Sequence, residues 1–135
     1  MKTLTKISLA LALLLATMLS FNSQAFCADF VSSDSYNKYL IESLNDENIG
    51  IRTSAATLLG ERKAVDAVDP LIAMAKNEKN YSARIIAAIA LYRIGDEKAM
   101  PILKKMAKKD KNKTVRHVLK GLIYELEATK LVAGL

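Results

Sequence analysis

Cysteine, histidine, tryptophan and proline are scarce in this sequence: 135 residues hold one Cys, one His, no Trp and two Pro. Each shortage removes a class of protein. A lone cysteine, Cys27, cannot close an internal disulfide, so the chain must hold together by packing. Its simplest reading is a free thiol, with an intermolecular disulfide as the alternative; the bulky Phe26 before it argues against lipid modification. A lone histidine, His117, without clustered carboxylates or cysteines cannot build a zinc or iron site. No nucleophile, base and orienting acid can be assembled, and there is no Gly-rich phosphate loop. The expectation is a protein that is not an enzyme and uses no metal and no cofactor. Strand patterning is missing as well, which leaves an all-α chain.

Long apolar runs are also few. One extends from Ile7 to about Phe21, behind a basic start at Lys2 and Lys6, and "NSQA" then sets Ser23 and Ala25 at the −3 and −1 positions of a cleavage site. This pattern is a secretory signal. The run is short for a bilayer span, which needs roughly 20 apolar residues; an uncleaved anchor is the alternative. The expected organisation is a signal peptide at 1–25, a lead-in at 26–33, a helical domain at 34–130 and a tail at 131–135. The mature protein would then be exported, periplasmic or extracellular.

What the chain has in plenty is repetition. Arg52, Arg84 and Arg116 lie 32 residues apart, and residues 52–83 laid over 84–115 match in eleven places. Asp46, Glu78 and Asp110 each stand six residues before the recurring arginine, and Asn48, Asn80 and Asn112 four before it. The asparagines are good N-caps, so first helices are expected at 49–60, 81–94 and 113–130, and second helices at 64–78 and 96–109. A lone second-type helix at 35–46 precedes them, with Tyr36, Tyr39, Leu40 and Leu44 on one side. Gly95 and Asp96 read as helix exit and next cap, separating the pair of helices in the second unit. Pro70 and Pro101 fall near the starts of second helices and predict a bend or a delayed start. The segment 81–94 is apolar all round, as a helix covered on several faces must be. In the last unit Lys120 replaces Ala88, so 113–130 reads as an end cap with one buried and one wet face.

Residues 78–106 carry Glu78, Arg84, Ala87, Ala88, Leu91, Ile94, Gly95, Asp96, Ala99, Pro101 and Leu103 in an order that resembles HEAT-type repeats of the short bacterial and phycobilin-lyase-like variety. Residues 46–75 fit less closely, because "GERKAVDAVDP" lacks the Gly-Asp pair. The resemblance implies a short right-handed α-solenoid of stacked helix pairs, about six helices, whose second helices line a concave side that receives other proteins. It also implies a structural ladder running from unit to unit through Asp46, Arg52, Glu78, Arg84, Asp110 and Arg116. Read as exposed pairs, those residues would contribute only about 0.2–1 kcal/mol each. The repeated His-Glu pairs by which some such enzymes hold metal are absent.

Charge is unevenly spread. Residues 26–78 hold nine acids and five bases; residues 79–135 hold five acids and thirteen bases. Between Lys98 and Lys120 there are nine bases and one acid, Asp110. Helical spacing sets Lys98, Lys104, Lys105, Lys108 and Lys109 on an outer face, and the repeat offset aligns Lys98 with Asp66 and Pro101 with Asp69. The candidate partner-binding surface is therefore Asp66, Asp69 and these five lysines, changing from acidic to basic along its length. The bland alternative is a solvated face that keeps the protein in solution. Location and the lack of interleaved aromatics argue against nucleic acid. The expectation is a monomeric, non-catalytic binding module or scaffold docking an acidic protein. The alternatives are a peripheral protein on anionic membrane headgroups and an accessory subunit of an envelope enzyme.

Overall fold

The computed structural model describes residues 33–134. The expected signal peptide and Cys27 lie outside the described residues, as does all of the lead-in but its last residue. The chain forms two compact units, Met1–Tyr36 and Asn37–Leu135. In the first, the described part is the opening of one helix. Across both, the described residues form six α-helices and no strand: α1 (Ser33–Ser43), α2 (Ile49–Glu61), α3 (Val68–Asn77), α4 (Tyr81–Ile94), α5 (Ala99–Lys109) and α6 (Lys113–Val132), with a 3-10 turn at Val65–Ala67 leading into α3. No described helix is long and apolar enough to cross a membrane.

The three asparagines start the first-type helices. Asn48 Oδ1 accepts from the Gly50 amide at 2.8 Å, Asn80 from Ser82 at 2.8 Å and Ala83 at 3.2 Å, and Asn112 from Thr114 at 2.7 Å. Each satisfies amides that the first turn leaves free. The prolines delay the second-type helices. Pro70 and Pro101 are the third residues of α3 and α5, where the amide has no helical partner to lose. Asp96 accordingly caps the turn before α5, accepting from the Lys98 amide at 2.8 Å, and α5 begins only at Ala99. α4 ends at Gly95, whose φ of 77° is left-handed and whose amide returns to Leu91 O. The first unit lacks Gly there, and Lys63, 32 residues earlier, takes up the same left-handed backbone at φ 52°.

α2 and α4 pack most closely, and between first-type and second-type helices the close pairs differ from the expected ones. α4 packs far more closely on α3 than on α5, and α5 packs closely on α6. The tight hairpins therefore turn through Glu78-Lys79-Asn80 and Asp110-Lys111-Asn112, not through Gly95-Asp96. Short stapled turns explain this: Asn80 N donates to Glu78 Oε1 at 3.2 Å and Asn112 N to Asp110 Oδ1 at 2.8 Å.

The core consists mainly of alanine and leucine. Leu59, Leu71, Leu91, Leu103, Leu119 and Val115 are the largest fully buried side chains. Along α4, Ala83, Ala87, Ala88, Ala90 and Leu91 are buried, whereas Ile85, Ile86, Ile89 and Ile94 are half-buried. α2 and α4 approach so closely that a Cβ on Gly60 would lie 2.7 Å from Ala90 Cα. α4 and α6 make fewer close backbone approaches, and the last unit has larger side chains to fill the space: Val115 where α4 has Ala83, Leu119 where it has Ala87. Leu40 of α1 and Leu44 in the turn just after it are buried, but Tyr39, expected beside them, is exposed, because its position turns it off the side that the two leucines share.

Candidate partner-binding surface

Arginine and acid meet between units, not within one. Arg52 Nε donates to Glu78 Oε2 at 2.9 Å, with Nη2 at 2.8 Å from the same oxygen. Arg84 clasps Asp110 through both carboxylate oxygens, Nε to Oδ2 at 2.9 Å and Nη2 to Oδ1 at 2.8 Å. The remaining guanidinium nitrogen turns back to its own unit: Arg52 Nη1 donates to the carbonyls of Asp46 and Glu47, Arg84 Nη1 to those of Glu78 and Lys79, and Arg116 Nη1 to that of Asp110. Each acid also accepts the amide of the capping asparagine two residues on. One acid thus fixes a turn, and one arginine fixes that turn to the next.

The Arg84–Asp110 rung is buried and the Arg52–Glu78 rung half-buried, against the expectation of exposed pairs. Side-chain exposure is 3% and 7% for Arg84 and Asp110, and 18% and 12% for Arg52 and Glu78. They lie low because the stapled loops wrap the guanidinium with backbone carbonyls. Two carboxyls respond. The Arg84 hydrogen bond holds Asp110 below its ordinary value despite burial, with help from the Asn112 amide. For Glu78, burial pushes up but is outweighed by the Asn80 amide and Arg52, so its carboxyl also titrates low.

The expected binding residues are exposed, Asp66 in the 3-10 turn, Asp69 in α3, and Lys98, Lys104, Lys105, Lys108 and Lys109 on or just before α5. They divide into neighbourhoods. Lys98 Nζ lies 3.9 Å from Asp69 Oδ2, three residues beyond the expected Asp66. Lys105 and Lys109 face α3, where they border a groove of about 190 Å³ with Lys76, Ile102 and Met106. Lys104 and Lys108 face α6, where a groove of about 310 Å³ is shared with Lys120, Ile123 and Tyr124. Lys104 is tied to Glu127 at 3.0 Å. Lys105, Lys108 and Lys109 have no ion-pair partner among the described residues.

Sequence reasoning missed three features of this surface. Lys76 joins the basic face through the repeat equivalence of Lys76 and Lys108, a match that was visible in the spacing. Tyr124 is 76% exposed beside the lysines. A larger shallow groove of about 630 Å³ runs between the Asn45-Asp46 turn and Pro70, Ala73 and Asn77 of α3, and the ladder residues Asp46, Arg52 and Glu78 also line it. His117 is exposed on α6, and no three metal-ligating side chains converge among the described residues.

Six helices whose recurring arginines bridge consecutive units define an α-helical repeat protein. The family model of HEAT repeats matches residues 37–123, and the chain belongs to that family. HEAT repeats generally act as scaffolds for protein–protein interaction. Comparison with curated proteins finds no match.

Proposed function

We propose that this protein is a non-catalytic docking module of the cell envelope, binding an acidic protein partner as a monomer through the lysine face of α5. The observation that carries this reading is that Lys105, Lys108 and Lys109 stand exposed with no ion pair of their own, beside grooves lined in part by Ile102, Met106 and Ile123, whose acids, Asp110 and Glu127, are already paired with Arg84 and Lys104. Clustered charge of one sign steers an oppositely charged partner and speeds encounter. The acidic Asp66 in the 3-10 turn and Asp69 on the preceding helix give the surface a direction, rejecting acids at one end and accepting them at the other. Export follows from the N-terminal pattern of Lys2, Lys6, the apolar run and Ser23/Ala25. The likeness to short bacterial repeats agrees with a small interaction module.

Charge alone would serve anionic headgroups equally. The apolar side chains of Ile102, Met106 and Ile123 favour a protein segment with side chains to insert. The test is capture from envelope extract by the protein and by a variant with Lys105, Lys108 and Lys109 reversed to Glu. Salt-sensitive capture lost in the variant supports the reading; an identical capture profile refutes it. Flotation with anionic vesicles that the same variant abolishes would transfer the face to lipid.

A further inference from the structure

The ladder has an open rung. Arg84 shows what a complete one looks like: Nη1 held by carbonyls of its own turn, Nε and Nη2 clasping the next acid. Arg116 repeats the first half, with Nη1 held by Asp110 O, but its Nε and Nη2 have no acceptor among the described residues. The guanidinium is therefore oriented in advance, half-buried, with a bidentate edge unused. Lys113 and Lys120 lie three before and four after it on the same side of α6, both exposed. Tyr124 continues the stripe one turn on, and no acid occurs on α6 before Glu125. Lys120 and Tyr124 also border the groove of Lys104 and Lys108, so the stripe is continuous with the lysine face of α5.

The geometry points to this stripe as the anchoring site for an acidic segment of a protein partner, one of whose carboxylates completes the rung at Arg116. A carboxylate fits because the fork is planar and the two filled rungs in this molecule both hold carboxylates. Flanking lysines suit further acids on the same segment, and the exposed ring of Tyr124 suits an apolar neighbour. The inference rests on the reading of an acidic protein partner and adds the point where it is gripped.

The experiment is nitrogen-15 NMR of the arginine Nε–Hε groups in the full chain, titrated with a capped, glutamate-rich helical peptide. The expected result is a saturable downfield shift of Arg116 Hε with Arg52 and Arg84 unmoved. Arg116→Lys, which keeps the charge but removes the fork, should weaken binding at least about tenfold, the loss expected of a charged hydrogen-bond pair. Peptide binding that moves only the amides of residues 104–109, with full affinity in Arg116→Lys, overturns the anchor while leaving acidic docking intact. No shift anywhere overturns both. A concentration-dependent Arg116 shift without peptide, lost in Asp46→Asn, would give the fork to a second copy and also overturn the proposal.

Discussion

Arg84 has only 3% of its side chain exposed, and Asp110, its counterion, has 7%. A charge this deep is tolerable only while every donor has an acceptor, and here Nε, Nη1 and Nη2 all do. Removing one partner strands the other in low dielectric. Arg84→Ala should therefore cost about 3–5 kcal/mol, against about 1.5–3 kcal/mol for Arg52→Ala at the more hydrated rung; urea unfolding of both variants gives the comparison. The same rungs set the acid limit. Folding holds Glu78 and Asp110 below their ordinary values of 4.5 and 3.8, so their contribution is complete above those values and is lost as pH falls through the lowered ones. Stability should decline progressively below about pH 4.5, the ordinary glutamate value, and Asp110→Asn should flatten that decline. The spacing of acid, asparagine and arginine was legible in the sequence because a repeat displays it. The depth was not, since periodicity tells which positions are equivalent and says nothing of what covers them.

Two positions at helix ends show where the repeat constrains its elements. Glycine within a helix normally gains about 0.5–1 kcal/mol on replacement by alanine. Gly60 should do the reverse, because the added methyl would sit 2.7 Å from Ala90 Cα and 2.9 Å from its Cβ. Parting α2 from α4 should cost about 1–3 kcal/mol, measurable as a lower melting temperature of Gly60→Ala. Lys63 has the opposite fault. It carries a Cβ at φ 52°, where the equivalent Gly95 carries none, and such a conformation costs an L-residue about 1–2 kcal/mol. Lys63→Gly should recover up to about 1 kcal/mol after the greater freedom of the unfolded glycine is subtracted; unchanged or reduced stability would mean that the turn is held by something other than its dihedral angle. The sequence revealed the missing Gly-Asp pair in the first unit but not that a lysine would adopt the glycine's backbone. It also displayed the Asn-capped helix starts at 49, 81 and 113 well, the starts of the second-type helices less well, and helix partners poorly. Caps are local chemistry, whereas the preference of α4 for α3 over α5 depends on how far each turn lets its helices separate.

At the scale of the molecule, stability should vary along the stack. Each unit of a repeat protein is held by its neighbours, so a helix with neighbours on more sides opens less often. α4 has close partners in α2, α3 and α6 and a lesser one in α5. α6 ends in a segment where Ala128, Leu131 and Val132 are all exposed. The apolar run at 81–94 announced the central helix, because only burial on several sides lets a helix dispense with a polar face. The partner was not legible in the same way: lysines in water satisfy solubility and docking alike, and only a contact across them separates the two. The stack itself makes a sharper prediction. Native-state hydrogen exchange should find the slowest amides at Ala87–Leu91 in α4, with free energies of opening approaching that of global unfolding. Protection should fall through α5 and the first half of α6 and vanish beyond Glu127. Arg84→Ala should lower the maximum at α4, because the buried rung joins that helix to the α5–α6 turn. If instead α1 or the end of α6 exchanged most slowly, the order of burial along the chain would not be the order of stability, and nearest-neighbour coupling between hairpins would be the wrong account of what holds this protein together.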